Sequence, residues 1–223
     1  MPFESNTPMP VDLDPEIVVR LVKSRRAFLK FPTAKVGAML SAPLVIAAAS
    51  REAFGADLPQ GIVDVLNFAL TLEHLEDTFY RTGFDNKGLI PKEHEATFQQ
   101  IGLHEAAHVA FLEMALGGAA VKRANYDFTA GGKYADVFSN FETFATLSKT
   151  FEDIGVAAYK GQAANLMEND AILTAALQIH SVEARHAAQV RTILKMKPWD
   201  KAFDEPMTKE MVLEAAKPFF AAA

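Results

Sequence analysis

The chain has 223 residues, of which 50% are hydrophobic and 22% charged, a composition typical of one globular domain with a shorter addition. Its net charge of −6 argues against nucleic-acid binding, and the absence of cysteine excludes disulfides, thiolate metal sites and a thiol nucleophile. No run of 18 apolar residues is present, so we expect no membrane span in the mature protein.

The first 56 residues have the features of an export signal with a linker. Adjacent Arg25 and Arg26 precede a weakly apolar stretch of small residues, 36–50, and then alanine-rich sequence that a signal peptidase could cut. This pattern resembles a twin-arginine signal, and an amphipathic helix is the alternative. The twin-arginine route carries folded proteins, often with a cofactor inserted, so the signal predicts a periplasmic or exported protein and hints at a prosthetic group.

Proline and glycine divide the rest of the chain into five predicted helices. The helices are expected from Pro59 to about Gly83, from Pro91 to about Gly117, over about 135–166, over about 169–197, and after Pro206. No period-two alternation between turn dipeptides is present, so no strand is predicted. We therefore expect an all-α protein: an antiparallel four-helix bundle over 57–198, with a long crossover between helices 2 and 3, and a helical extension over 199–223.

Each of the four long helices has a glutamate near the middle of its apolar stripe. These residues are Glu73, Glu105, Glu152 and Glu183. One unpaired buried carboxylate costs several kcal/mol, and a domain with a total stability of about 5–15 kcal/mol could not bear four. The sequence therefore predicts positive charge between the helices.

The same residues fall into an internal repeat. The pairs Glu105–His108 and Glu183–His186 are both ExxH and are offset by 78 residues, and the pairs Glu73–Tyr80 and Glu152–Tyr159 are offset by 79. Two helix pairs related by a pseudo-twofold axis would bring four glutamates and two histidines together. This inventory matches a two-metal carboxylate site, in which each ExxH supplies a bridging glutamate and a terminal histidine. Six protein ligands leave coordination positions open for oxygen or peroxide.

Residues 104–108 also spell HExxH, which is typical of zinc peptidases. In that interpretation His104 and His108 bind zinc and Glu105 is the base, but the other helices' glutamates stay unexplained. His104 is about 100° around the helix from Glu105, so we expect it to point elsewhere. His74 and His94 are expected to be solvated, and His180 to be a satisfied histidine.

The chain resembles the exported ferritin-like domain proteins, a branch that includes desiccation-associated and stress-related members. The resemblance covers about 61–195 and rests on LNFALTLEHLEDTFY, the first ExxH, YDF, FEDIGVAAYKGQAA and EARH. It implies a metal site at Glu73, Glu105, His108, Glu152, Glu183 and His186, holding two ions, with iron expected first and manganese as the alternative.

The resemblance also implies a function, oxidation of Fe(II) or reduction or disproportionation of peroxide, and a homo-oligomer. Tyr80 and Tyr159 are the candidate catalytic residues, as donors to the glutamates or redox-active groups, with plain packing as the alternative. Glu76 is interpreted as a supporting polar group rather than a further ligand. The alternative function is a non-enzymatic stress-protective or assembly protein, in which the metal site is structural or lost.

Overall fold

The computed structural model describes residues 58–199 and 201–221, and the predicted export signal lies outside them. Within this part of the chain the regular structure is helical, as predicted. The helices are α1 (Gln60–Asp85), α2 (Lys92–Leu116), α3 (Phe141–Gln162), α4 (Asp170–Ile193) and α5 (Lys209–Ala216). None of these helices is long and apolar enough to cross a membrane.

Local chemistry sets the helix ends. The side chain of Asn140 accepts from the backbone N–H groups of Glu142 and Thr143 and begins α3, and Asn169 caps α4 in the same way. The predicted start of α3 near residue 135 was too early, because residues 129–139 form turns in which Gly131 and Gly132 adopt positive φ. Helix α4 was predicted to reach Lys197 but ends at Ile193, and Lys195 then takes φ 58°.

The four long helices form two antiparallel pairs, α1 with α2 and α3 with α4. The crossover between α2 and α3 runs along α1. Near its start Val121 donates its N–H to Asn67, then Arg123 contacts Asp77, and Phe128 finally packs on Phe79. The crossover therefore travels the length of the bundle, so α3 runs in the same direction as α2. This arrangement confirms the predicted four-helix bundle with a long crossover.

The C-terminal segment lies against the outside of the bundle. Val212 and Ala216 of α5 are buried against α1 and α3, and Met207 donates its N–H to the carbonyl of Ala157. Further on, the carbonyl of Phe219 accepts from the N–H of Asp127 in the crossover. The extra helix is thus a packing element that ties α3 to the crossover.

Candidate metal centre

The structure brings together the six residues that the sequence predicts as metal ligands. Each is at most 5% exposed, and they come from the middle of the four long helices: Glu73, Glu105, His108, Glu152, Glu183 and His186. Their carboxylate oxygens and ring nitrogens form two groups, and within each group these atoms lie within 4.8 Å of one another. Glu105 and Glu183 belong to both groups.

The first group surrounds Nδ1 of His108. This nitrogen lies 3.2 Å from Oε2 of Glu73 and 3.2 Å from Oε2 of Glu105. It also lies 3.0 Å from Oε1 of Glu183 on α4. One imidazole nitrogen therefore faces carboxylates from three helices.

The second group surrounds Nδ1 of His186 in a matching way. This nitrogen lies 3.1 Å from Oε2 of Glu152, 3.0 Å from Oε1 of Glu105 and 3.5 Å from Oε2 of Glu183. Glu105 and Glu183 thus each direct one oxygen toward His108 and the other toward His186. Glu73 and Glu152 each contact one histidine only. This is the arrangement expected when two carboxylates bridge two cations and two others bind one cation each.

The hydrogen bonding of the described residues leaves the two central carboxylates incompletely satisfied. Oε1 of Glu105 and both oxygens of Glu183 are buried without a hydrogen-bond partner, although ring nitrogens lie close to them. Buried carboxylate oxygens are normally paired or bound to metal. Four ionised carboxylates carry a charge of −4, which two divalent cations would neutralise. The cluster could therefore hold metal ions.

Without metal, the histidines supply the positive charge. Burial lowers the pKa of His108, but the carboxylates of Glu73 and Glu105 outweigh it and raise that pKa well above the usual range. The pKa of His186 is raised in the same way, chiefly by the charge of Glu152 against the effect of burial. Burial also raises the pKa of the Glu73 carboxyl to about 8. Metal ions would have to displace protons from these groups.

The two predicted tyrosines connect the halves of the internal repeat. Tyr159 on α3 donates its hydroxyl proton to Oε1 of Glu73 on α1, at 2.6 Å. Tyr80 on α1 donates to Oε1 of Glu152 on α3, and its hydroxyl also lies 2.6 Å from Oγ of Ser148. Each tyrosine thus fixes the glutamate of the other repeat. Burial, followed by the charge of the adjacent glutamate, raises the pKa of both tyrosines well above the usual range.

His104 lies beside the cluster, so the prediction that it points elsewhere was wrong. Its Nδ1 is 2.8 Å from Nε2 of His186, the two rings stack with centroids 5.1 Å apart, and its Nε2 lies 2.8 Å from Gln100. A metal ion bound to Nδ1 of His186 would leave the ring proton on Nε2, which then donates to Nδ1 of His104. His104 is absent from both groups of possible ligand atoms, which favours the two-metal interpretation over the zinc-peptidase interpretation.

Glu76 is a fifth carboxyl at the cluster. It is 3% exposed, and its Oε1 would lie 3.5 Å from a Cβ on Gly155, the residue that replaces it in the second repeat. A Cβ at position 155 would thus be in ordinary van der Waals contact with this carboxyl. Burial and then the charge of Glu183 raise the pKa of Glu76 well above the usual range.

Other polar residues lie away from the ligand atoms. His74 is 2% exposed and not solvated as expected, and neither ring nitrogen has a hydrogen-bond partner among the described residues. His94 stacks on Phe141. Nε2 of His180 is also buried without a partner in the described part of the chain, so the expected satisfied histidine is not found.

Two aspartates, Asp77 and Asp153, each pair with basic residues. Asp77 lies 2.7 Å from both Arg81 and Arg123, and Asp153 contacts Arg191 and Lys149. The ion pairs of Asp77 link α1 to the crossover, and those of Asp153 link α3 to α4. Both aspartates lie outside the metal-ligand groups.

Comparison with known families supports the fold. The chain matches the family described as the ferritin-like domain over residues 61–196. This range contains the six clustered residues, both tyrosines and His104. Comparison with curated proteins gives no significant match. The chain therefore belongs to the ferritin-like domain family.

Proposed function

We propose that the protein is a dinuclear-metal oxidoreductase that oxidises Fe(II) or reduces or disproportionates peroxide. The observation that carries the proposal is the division of the oxygens of Glu105 and Glu183 between His108 and His186. A single structural ion would need one such group of ligands. The chain provides two adjoining groups that share two carboxylates.

The donor set indicates which metals fit. Carboxylate oxygens and imidazole nitrogens suit divalent iron and manganese, and the sequence contains no thiolate that would favour a softer metal. We propose iron first and manganese as the alternative. Glu105 and Glu183 would bridge the two ions, with Glu73 and His108 on one side and Glu152 and His186 on the other.

Two redox-active ions bound there would supply one electron each. Dioxygen takes up two electrons and two protons to form hydrogen peroxide, and hydrogen peroxide takes up two electrons and two protons to form two waters. The surrounding chain would orient the ligands and exclude bulk water. Tyr80 and Tyr159 hold Oε1 of Glu152 and Glu73, which leaves Oε2 of each directed at its histidine. Their hydroxyls also place protons next to the centre.

The proposed partners are a small oxidant, dioxygen or peroxide, and Fe(II) as the electron source, with a homo-oligomer as the assembly. The proposed compartment is the periplasm, reached by the twin-arginine route. This part of the proposal is supported by Arg25, Arg26 and the apolar stretch that follows them, all of which lie outside the described residues.

Anaerobic loading with Fe(II), followed by rapid mixing with dioxygen or peroxide, tests the proposal. We expect two Fe(II) to be oxidised per chain, followed by repeated turnover when more Fe(II) is supplied. Glu105→Ala removes a bridging ligand and should abolish turnover while the helical circular dichroism is kept. Glu113→Ala, on the same helix with its side chain 53% exposed, is the matched control and should react like the wild type.

One pattern of results would contradict the enzymatic proposal. If the wild type binds two ions and gains thermal stability, yet oxidises no Fe(II) and consumes no peroxide, then the metal only stabilises the bundle.

A further inference from the structure

A small cavity lies inside the bundle at one end of the ligand cluster, between α1, α2, α3 and α4. Its volume is ≈ 20 Å³, which is about the space needed by one molecule of the size of water. Apart from Val65, which is half-buried, all its lining residues are buried.

The cavity lies next to the proposed ligands along the bundle axis. Three of its lining residues, Ala69, Leu112 and Ile179, lie four residues from Glu73, His108 and Glu183 respectively on the same helices. Four residues of α-helix rise about 6 Å. Three helices thus place the cavity about one turn from the ligand layer, and all on the same side of it.

Tyr159 forms the boundary between the cavity and the cluster. Its side chain lines the cavity, and its hydroxyl donates to Oε1 of Glu73 at 2.6 Å. A molecule in the cavity would therefore lie beside the residue that contacts the His108 side of the cluster.

The lining offers a polar guest few hydrogen-bonding groups. Only two lining residues, Tyr159 and Gln162, carry polar side-chain atoms; the tyrosine hydroxyl donates to Glu73, and Oε1 of Gln162 accepts from Asn165. A buried water needs two to four polar partners, and apolar cavities of this kind stay dry but bind apolar gases. Hydrogen peroxide, which has two O–H groups, is disfavoured for the same reason. Dioxygen is apolar and about as large as water.

The opposite end of the cluster is closed by packing. Beyond Tyr80, the rings of Phe79 and Phe144 stack at 4.7 Å, and Phe98 packs on Phe144 at 5.4 Å. These side chains are fully buried. The aromatic packing favours approach of a small apolar molecule from the Tyr159 end.

We propose that this cavity binds dioxygen and supplies it to the Glu73–His108 side of the centre. The inference rests on the proposed function and makes it more specific, because it assigns dioxygen, rather than peroxide, to a site inside the bundle.

Xenon binding tests the site without reference to activity. Crystals of the full-length protein under xenon pressure should show xenon between Ala69 and Ala176, both of which line the cavity. Ala176→Leu fills the cavity and should remove the xenon. Ala175→Leu is the matched control, since Ala175 is 4% exposed on the same helix but does not line the cavity, and it should keep the xenon. Absence of xenon from the wild type would overturn the inference.

Oxidation kinetics test whether the molecule that the cavity supplies is dioxygen. With the Fe(II)-loaded protein, Ala176→Leu should slow the reaction with dioxygen about tenfold, as expected from a loss of about 1.4 kcal/mol of binding, and change the peroxide reaction by less than about twofold. Ala175→Leu should slow neither reaction. Equal slowing of both oxidants by Ala176→Leu would overturn the inference. If the wild type reacts with neither oxidant, the proposed function fails, while the xenon result still decides whether the cavity binds apolar gas.

Discussion

The metal-free protein should lose stability as the pH rises from 6 to 8, and bound metal should abolish this loss. Glu73 is 1% exposed, and burial raises the pKa of its carboxyl from 4.5 to about 8 in the folded protein. At these pH values the unfolded chain binds fewer protons at this residue than the folded chain. The change of the free energy of unfolding with pH is proportional to the number of protons bound by the unfolded state minus the number bound by the folded state. Because this difference is negative here, stability falls with increasing pH.

The magnitude follows from the two pKa values. For one group titrating at 4.5 unfolded and about 8 folded, the free energy of unfolding decreases by about 2 kcal/mol between pH 6 and pH 8. The raised pKa values of His108 and His186 act in the same direction above pH 6.5. The pKa of Glu183 is lowered, and its stabilisation is lost only in acid, below its usual pKa of 4.5, so it does not contribute in this range.

Thermal melting of the chelator-treated protein at pH 6, 7 and 8 measures this effect. For a domain of this size about 2 kcal/mol corresponds to a decrease in Tm of roughly 4–8 °C. Glu73→Gln keeps an oxygen for the Tyr159 hydroxyl but removes the titrating proton, so its melting temperature should depend less on pH. A metal-free wild type with the same Tm at pH 6 and pH 8, or a Glu73→Gln variant with the full pH dependence, would refute the reasoning.

Three further changes test separate parts of the structure. His104→Ala removes the ring that accepts a hydrogen bond from His186. It should weaken metal binding about 10- to 100-fold in a metal titration, and unchanged affinity would contradict the hydrogen-bonding role. Tyr159→Phe leaves a buried carboxylate oxygen without its donor and should reduce the free energy of unfolding in urea by about 1–3 kcal/mol, whereas no change would contradict the bond. Gly161→Ala would place a Cβ against the backbone carbonyl oxygen of Met207, so its Tm should fall, whereas Gly118→Ala meets nothing within 4 Å and should melt like the wild type.

The sequence was sufficient to predict the bundle and the composition of the cluster. Helical periodicity placed one glutamate in each apolar face, and the repeat offset paired the two ExxH motifs. Both features can be obtained from the sequence alone, the first from spacing along single helices and the second from comparison of the two halves of the chain. The structure adds how the repeats interlock, since the donor to Glu152 is Tyr80 of the other repeat.

Contacts between helices were harder to predict. His104 was expected to point elsewhere because its angle on α2 was considered without the position of α4, which brings His186 to within 2.8 Å of its ring. His74 was expected in solvent, but it is 2% exposed, next to the crossover residue Arg123, which donates to the carbonyl of His74. No periodic pattern in α1 indicates where an irregular crossover will pass.

The direct test of the central claim is an anomalous-diffraction map at the iron edge from crystals of the full-length protein loaded anaerobically with Fe(II). Two peaks about 3.5–4 Å apart are expected, one contacting Glu73 and His108 and the other Glu152 and His186, with oxygens of Glu105 between them. A single peak, or none within the cluster, would contradict the dinuclear centre.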